Sequence, residues 1–548
     1  MTNRELAAPF RDLARVMEYL GENPFKTRSY ARAYDTIRKA PVELAGAERA
    51  QLLAIPGIGA AISDKIIEFA AEGRLATLDK FTAQIPAGVL EMLAVRGLGP
   101  KKVRQLVEEL HVESVGELLH AIRENRVVTL RGFSVRTQDK LREQLEFYQR
   151  SQGQAKYADV ERAAAQLVAQ LQAAGAKVTF AGEMARQCPV VSRIEILVTG
   201  GAGALLDAEA WTPDLDREGL YRSSLADLPA VLREVDPAAF ARETVVASLS
   251  SGFAAAHPEI EGLDLSRDYP DEAAVFSACG LPFVPAPQRE AASPWPPVAA
   301  DAVVQPGDIR GVVHAHTTWS DGASTIEEMA AAAREAGYEY LTITDHSRAA
   351  GYAGGLSENR LREQIAAVRV VDAGLEGFRV FAGTECDILR DGTLDYPDEL
   401  LAELDVVVAS VHSVLRMSES DATERLLRAV ANPYVDILGH PTGRLLLSRP
   451  GYPLDFDAVL DACAEHGVAI ELNASPYRLD LDWTLLQAAV SRGVPVSINP
   501  DAHSLAGIHD IRYGVLAAQK AGLRPAECLD SRSATDFADW LSARRRAS

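Results

Sequence analysis

Between residues 308 and 548 the chain alternates short apolar runs with amphipathic stretches, and this alternation restricts the fold more than any other feature. The seven runs are GVVHAH, YLTITDH, FRVFAGTE, DVVVASVH, YVDILGH, GVAIELN and VPVSINPDAH, most of them separated by helical segments such as TIEEMAAAAREAG. Strands joined by helices in this way form a parallel sheet, so the pattern predicts a seven-stranded βα barrel. Six of the seven runs carry a candidate metal ligand at the C-terminal end or just beyond it, whereas the sixth ends in Glu471 and Asn473. Those strand ends are where βα barrels build their active sites.

The residues so placed are His314, His316, Asp321, His346, Glu385, His412, His440, Asp501 and His503, and they take six of the chain's 11 histidines. HAH sets two imidazoles at i and i+2, on one side of a strand. Asp321 follows in a glycine-containing turn. Nine nitrogen and oxygen donors without a thiolate suit two or three divalent ions, with Mn, Zn and Fe all compatible. Adjacent ions can generate hydroxide from water and clamp the attacking and leaving oxygens of a phosphoester. Each residue taken alone reads equally well as an ordinary strand-end polar group; the set in phase with the strand ends does not.

Composition sets the remaining bounds. At 548 residues several domains are expected. No apolar run reaches 18 residues, and MTNRELAAPFRDL lacks an apolar leader core, so neither a membrane span nor a secretory leader is expected. Cys188, Cys279, Cys386, Cys463 and Cys528 are scattered without a CxxC pair, which fits a reducing cytoplasm. The net charge of −21 is uneven: residues 1–150 hold 23 of the 56 basic and 20 of the 77 acidic side chains, a balance of +3. That distribution is compatible with DNA binding through the N-terminal part.

Residues 1–150 read as short amphipathic helices with tight glycine turns, as in LARVMEYL and DKIIEFAAEG. IPGIGAAISDKI (55–66) and VRGLGPKKVRQL (95–106) share an apolar-x-Gly-x-Gly opening before a helix. Gly57, Gly59, Gly97 and Gly99 would let the backbone approach a phosphate, with helix-start N–H groups aimed at it. Lys101, Lys102 and Arg104 add charge to the second copy, and LRGFSVRTQDKL (130–141) is a degenerate third copy with Ser134 in place of the second glycine. Such contacts would be independent of base sequence. Residues 155–200 read as helix, strand, turn, strand. Residues 200–270 are poorly patterned, and 284–307, with six prolines, read as a linker.

HAHTTWSDG, LTITDHS, LGHPTGRLL, ELNASPYRLDL and INPDAHS resemble motifs of the PHP (polymerase and histidinol phosphatase) phosphoesterases over roughly residues 306–545. The resemblance implies one ion on His314, His316, Glu385 and Asp501, a second on Glu385, His412 and His440, and a third on Asp321, His346 and His503, with Glu385 bridging. Arg444 and Arg478 would bind phosphate at the rim or form structural salt bridges. The glycine segments resemble helix-hairpin-helix motifs, and NPFKTRSYARAYDTIRK (23–39) resembles the start of the small domain of family X DNA polymerases. Together they resemble the bacterial family X architecture over nearly the whole chain, a multidomain α plus α/β fold.

That resemblance implies a small helical DNA-binding domain (1–85), a fingers-like helical domain (86–152), a palm- and thumb-like region (153–283), the linker (284–307) and the barrel (308–548). Lys65 stands at the family's lyase lysine, and Lys26 and Tyr30 match that pocket, but Ala61 replaces a lysine. Lys65 reads more readily as a phosphate-contacting or merely solvated lysine than as a lyase nucleophile. In FAGEMARQCPVVSRIEILV (180–198) the family's Gly-Ser becomes Gly182-Glu183, its first aspartate Arg193 and its second Glu195. Residues 200–260 contain no VDLR-like segment and look shortened. An arginine at a metal position repels the cation, so the nucleotidyltransferase-like palm is expected to be degenerate. DEAAVFSACGLPFVPAPQRE (271–290) again resembles the family's segment before the barrel.

The sequence thus predicts a cytoplasmic, monomeric DNA-repair phosphoesterase with two or three divalent ions. It would process gapped or end-containing DNA as a 3′-5′ exonuclease on a scaffold without polymerase activity. The alternatives are a small-molecule phosphatase of the histidinol-phosphatase type, a non-catalytic DNA-binding scaffold, and an active gap-filling polymerase.

Overall fold

The spacing of Leu6, Phe10, Leu13 and Met17 gives the first helix, Asn3–Leu20, its buried face in the computed structural model. Thr2 and Glu5 close a reciprocal cap at its start, and Gly21 ends it with a φ of +74°. The structure describes all residues except 96, 111, 124–126, 152, 202–205, 207–209, 227, 265–266, 291–294, 448–449 and 548. Residues 1–152 and 153–548 form two separate compact units. In the first, Leu6, Phe10, Ile37, Leu52, Ile62 and Ile66 share one core. Val89, Met92, Val103, Leu106, Leu118 and Leu145 belong to a second.

The second unit begins with seven strands: β1 (Ala155–Lys156), β2 (Val178–Ala181), β3 (Val190–Val191), β4 (Ile194–Thr199), β5 (Thr212–Pro213), β6 (Leu220–Leu225) and β7 (Leu228–Val235). β1 pairs with β3, and the others form a mixed sheet in the order β2-β4-β7-β6-β5, parallel only between β4 and β7. Helix Tyr157–Ala173 contributes Val160, Ala164 and Leu171 to the core that includes Ile194, Ile196 and Leu232. The poorly patterned stretch 200–270 supplies β5–β7 and helices Phe240–Ser248 and Ser251–Ala256. Its sequence signal is weak because β6, LYRSSL, buries only Leu220 fully, and Pro229 interrupts β7.

All seven predicted barrel strands form: β8 (Gly311–Ala315), β9 (Tyr340–Ile343), β10 (Arg379–Asp387), β11 (Val406–Ser410), β12 (Ile437–Leu438), β13 (Ala469–Asn473) and β14 (Val496–Asn499). They lie in chain order and pair in parallel throughout. A parallel bridge between Ala315 and Ala502 brings the first strand beside the last and nearly closes the barrel. Val406–Ser410 and Ala469–Asn473 are buried at every position, as parallel strands covered on both faces require.

The proline-rich connection is pinned to its surroundings. Fully buried Arg289 pairs with Glu272 at 2.7 Å and donates to the Val284 carbonyl at 2.8 Å. Glu290 accepts from Lys520 Nζ at 2.7 Å and Arg186 Nε at 3.0 Å, and Val304 N donates to Leu523 O at 2.8 Å. The described residues on either side of 291–294 therefore form a strap against the helix Ile511–Ala521 and the turn after it. Among the described residues, no helix is long and apolar enough to cross a membrane.

Candidate metal centre

Each barrel strand delivers its polar group where the ladder ends. His314 lies in β8 and Glu385 in β10, while His346, His412, His440 and Asp501 stand two or three residues past β9, β11, β12 and β14. His314, His316, His346, Glu385 and His440 are buried. His314 and Asp501 hold φ of +81° and +53°, conformations that side-chain-bearing residues rarely adopt and that often mark functional sites. Asp321 is presented by a turn tied to Asp345, which accepts from Thr317 N and Oγ1, each at 2.8 Å, and from Ser320 Oγ at 2.6 Å. Only glycine fits at 322, because a Cβ there would lie 2.4 Å from the His316 carbonyl oxygen.

Glu385 sits at the centre. Its Oε1 lies 2.8 Å from His440 Nε2 and 3.1 Å from His412 Nε2. Its Oε2 faces His346 Nδ1 at 2.9 Å, His314 Nε2 at 3.4 Å and His316 Nε2 at 3.6 Å. Asp501 Oδ1 stands 3.2 Å from His316 Nε2 and 3.6 Å from His314 Nε2. On the outer side Asp321 approaches His503 Nε2 at 3.3 Å and His346 Nε2 at 3.6 Å. Three groups of donors able to converge on an ion result: His316, Asp321, His346 and His503; His314, His316 and Asp501; and His346, Glu385 and His412.

The donor set fits divalent ions. His314 Nε2, both ring nitrogens of His316 and Asp501 Oδ1 are buried and make no hydrogen bond among the described residues. Orphaned buried polar atoms are costly unless something else engages them. Ligands held 2.0–2.2 Å from a tetrahedral ion are separated by about 3.3–3.6 Å; Asp501 Oδ1 keeps close to that spacing from His316 and His314, at 3.2 and 3.6 Å, whereas Glu385 stands nearer His440, His346 and His412, at 2.8–3.1 Å.

The electrostatics agree. Burial alone would keep the imidazoles neutral, yet Glu471, Glu385 and Asp501 raise His314 well above its ordinary value. Against the same burial, Glu385 and Asp321 push His346 up to about 10, Glu385 and Asp387 push His412 to about 9, and Asp321 and Asp501 push His503 to about 9. His316 moves down to about 4 through burial and its neighbours His503 and His346. Without ions, protons balance the carboxylates, and an incoming cation would displace them.

A second layer of residues orients this set, and the sequence reading did not assign it. Glu471, at the end of the strand without a ligand, accepts from His314 Nδ1 at 2.6 Å, Asn499 Nδ2 at 2.8 Å and His440 N at 2.6 Å. Asp387 lies 3.3 Å from His412 Nδ1. Carboxylates of this kind fix the orientation of a ligating imidazole. The signal was present in AIELN, where one glutamate interrupts a strand buried at every position.

The two predicted rim arginines differ. Arg444 donates to the carbonyls of Arg478, at 3.0 Å, and of Leu479, and pairs with Asp482. Its guanidinium is thus committed to holding a loop, the salt-bridge alternative of the sequence reading. Arg478 points into the site, with Nε 3.7 Å from Asp501 Oδ2.

In the helical unit the three hairpin segments share one geometry. Ile58, Leu98 and Phe133 are buried between exposed neighbours: Gly57 and Gly59, Gly97 and Gly99, Gly132 and Ser134. Gly57, Gly97 and Gly132 take φ of +96°, +88° and +88°. Gly59 caps helix Ala60–Glu72, and Gly99 precedes helix Pro100–Leu110. Lys101 is exposed, Lys102 lies 5.5 Å from the Phe133 ring, Arg104 pairs with Glu108, and Lys65 donates to Thr77 Oγ1.

Comparison with known proteins matches residues 1–75 to a helix-hairpin-helix domain, 89–146 to a SAM-like helix-hairpin-helix tandem and 313–475 to the PHP domain. The chain is 30% identical to the DNA polymerase/3′-5′ exonuclease PolX of Bacillus subtilis (strain 168), over an alignment spanning 99% of each. It belongs to the PolX family of DNA polymerase/3′-5′ exonucleases. A probable phosphatase of Thermoanaerobacter sp. (strain X514) is 31% identical over 221 residues, covering 38% of this chain and 85% of that one. A probable phosphatase of Acetivibrio thermocellus is 37% identical over 164 residues, covering 29% and 63%.

In this PolX chain, the residues expected at the polymerase centre lie around β4. Gly182 has a φ of +55°, and a Cβ there would collide with Glu195 Oε2. Glu183 accepts from Ser192 N at 2.5 Å and Ser192 Oγ at 2.8 Å. Half-exposed Arg193 lies 3.7 Å from Glu195 Oε1. Across the parallel ladder Glu195 faces Val231 of β7.

Proposed function

We propose that the barrel is a divalent-metal phosphoesterase that removes or cleans nucleotides at DNA 3′ ends, with the helix-hairpin-helix unit supplying affinity for gapped or broken duplexes. The observation that carries this reading is the cluster of buried, unbonded imidazole and carboxylate atoms around Glu385. His314, His316 and Asp501 with Glu385 would hold one ion, Glu385 with His412 and His440 a second, and Asp321, His346 and His503 a third. The split of Glu385, with Oε1 toward His412 and His440 and Oε2 toward His314, His316 and His346, supports its role as the bridge. Imidazole and carboxylate donors without thiolate suit Mn, Zn or Fe. Bound ions would supply Lewis-acid charge and a more acidic water. Arg478 is placed to meet a phosphate oxygen beside Asp501, and Glu471 and Asp387 keep the ligand rings aimed inward.

We further read the sheet around β4 as a scaffold without nucleotidyl transfer. Two-ion chemistry needs converging carboxylates. Here Arg193 stands beside Glu195, Val231 faces it across the ladder, and Glu183 is engaged by Ser192.

A 5′-labelled gapped primer–template with Mn²⁺, with and without dNTPs, tests both parts against a His440→Ala control. The reading expects primer shortening that the variant loses and no dNTP-dependent extension. Extension would revive the polymerase. An untouched primer beside active hydrolysis of a small phosphate ester would favour the second reading, a small-molecule phosphatase, which the relatives named as probable phosphatases motivate.

A further inference from the structure

The loop that carries Arg478 is held from two sides. Within the barrel, Arg444 binds the Arg478 and Leu479 carbonyls, Asp480 accepts from Thr442 N and Oγ1, and Leu446 N donates to Tyr477 O at 2.8 Å. The tip, Tyr477, remains 40% exposed. From outside the barrel, β1 brings Lys156 to it, with Nζ 4.8 Å from the Tyr477 ring centroid while also paired with Asp159. Pro476 and Leu479 close against Tyr157 and Pro189 around a residual cavity of about 10 Å³. The Tyr157 N–H donates to the Pro189 carbonyl at 3.0 Å, and β1 pairs with β3, two residues ahead of Arg193. Glu161 adds an ion pair to Arg512 at 2.9 Å on the barrel side.

The geometry points to Lys156 as a positioning residue for the barrel's reaction: acting through Tyr477, it fixes the 475–482 loop and therefore the approach of Arg478 to the phosphate. A cation over an aromatic face is attracted to it, and more strongly when shielded from water; the Lys156 side chain is 12% exposed. The consequence is that the β1–β3 pair, which precedes Arg193 and β4 in the chain, carries a task in the barrel's reaction whether or not the neighbouring β2-β4-β7-β6-β5 sheet performs nucleotidyl transfer. It completes a site whose ligands all lie elsewhere.

The activity arm of the test rests on the proposed exonuclease reading, and a second arm does not. Full-length Lys156→Ala, Lys156→Arg, Tyr477→Ala and Tyr477→Phe variants are compared for kcat and KM on the gapped primer. In parallel, hydrogen exchange of residues 474–482 is followed in metal-free protein. Misplacing a reacting-site group by a fraction of an ångström lowers kcat, so each alanine variant should lose about five- to tenfold with KM little changed. Lys156→Arg and Tyr477→Phe should retain wild-type rates. The double alanine variant should lose no more than either single one, as expected for two residues in one linkage. Exchange in 474–482 should accelerate in both alanine variants while β11 is unaffected. Unchanged exchange in both alanine variants overturns the proposal whatever the activity. Additive losses, or kcat within twofold of wild type, overturn it as well. If wild-type protein shortens no primer but exchange responds as expected, the exonuclease reading fails and the positioning role stands.

Discussion

Replacing Glu471 by glutamine isolates the contribution of a residue that touches no candidate ion. Glu471 is fully buried, and both carboxylate oxygens are engaged: Oε1 by His314 Nδ1 at 2.6 Å and Asn499 Nδ2 at 2.8 Å, Oε2 by His440 N at 2.6 Å and Asn473 Nδ2 at 3.3 Å. Whichever oxygen becomes an amide NH₂ then faces groups that were donating to it. The loss is at least one charge-assisted hydrogen bond, about 1.5–3 kcal/mol. If nearly all of that falls on the ligand geometry of His314 and His440, metal affinity drops about 10–100-fold, the range seen for such supporting carboxylates. The assay is competition between metal-free protein and a chromophoric chelator for Zn²⁺ or Mn²⁺, paired with thermal unfolding. At a fixed metal excess, the metal-dependent gain in stability should shrink by about 1.4–2.7 kcal/mol. Metal-free unfolding, measured separately, reports any general damage. A folded Glu471→Gln variant that binds metal within twofold of wild type would refute the reasoning.

Gly97→Ala should destabilise the helical unit by about 1 kcal/mol or more, because its φ of +88° is hostile to a Cβ; it should weaken DNA binding too, read by thermal unfolding and fluorescence anisotropy. Replacing Lys101 and Lys102 together by alanine should lower affinity for all duplex sequences alike and reduce the slope of log K against log salt by up to about 2; a sequence-dependent loss would contradict backbone-directed contact. Asp530 is buried, and desolvation raises its carboxyl to about 7 from 3.8. The folded state therefore keeps a proton that the unfolded chain has lost, and stability falls as pH rises from about 4 to 7 and stays low above. Asp530→Asn should accordingly stabilise the protein at pH 8, by up to about 4 kcal/mol, with little effect at pH 4; equal melting shifts at both pH values would disprove this.

The barrel was legible because its strands are short, uninterrupted apolar runs that end in chemically distinctive residues. Burial on both faces and a shared catalytic end dictate both features at once, so fold and candidate ligands came from one pattern. The sheet around β4 was harder to read. Its β6 keeps one buried residue, and β7, although Leu228, Ala230 and Leu232 alternate inward, places apolar Pro229 and Val231 between them, so neither sequence shows the apolar–polar alternation of a half-buried strand. Glu471 and Asp387 escaped assignment for a different reason. A carboxylate that orients a histidine differs from one that could bind an ion only in where its oxygens point, and strand position alone does not give that. Arg444 and Arg478 show the same limit: four residues past His440 and five past Asn473, they looked equivalent, yet only one faces the centre.

The strap bears on how such a barrel can be moved between proteins. A relative named as a probable phosphatase aligns with 38% of this chain yet with 85% of its own length, which suggests a part that can be lifted out whole. Here it cannot be lifted at residue 308. Lys520, 3% exposed on a barrel helix, is neutralised by Glu290 and donates to the Arg186 and Pro287 carbonyls, all upstream of that point. A fragment starting at 308 would keep the ammonium and lose every one of those partners, leaving the Trp483 ring, 4.5 Å away, and water in their place. A workable seam for dissection therefore lies upstream of Arg186, so that Arg186, Pro287 and Glu290 stay with Lys520.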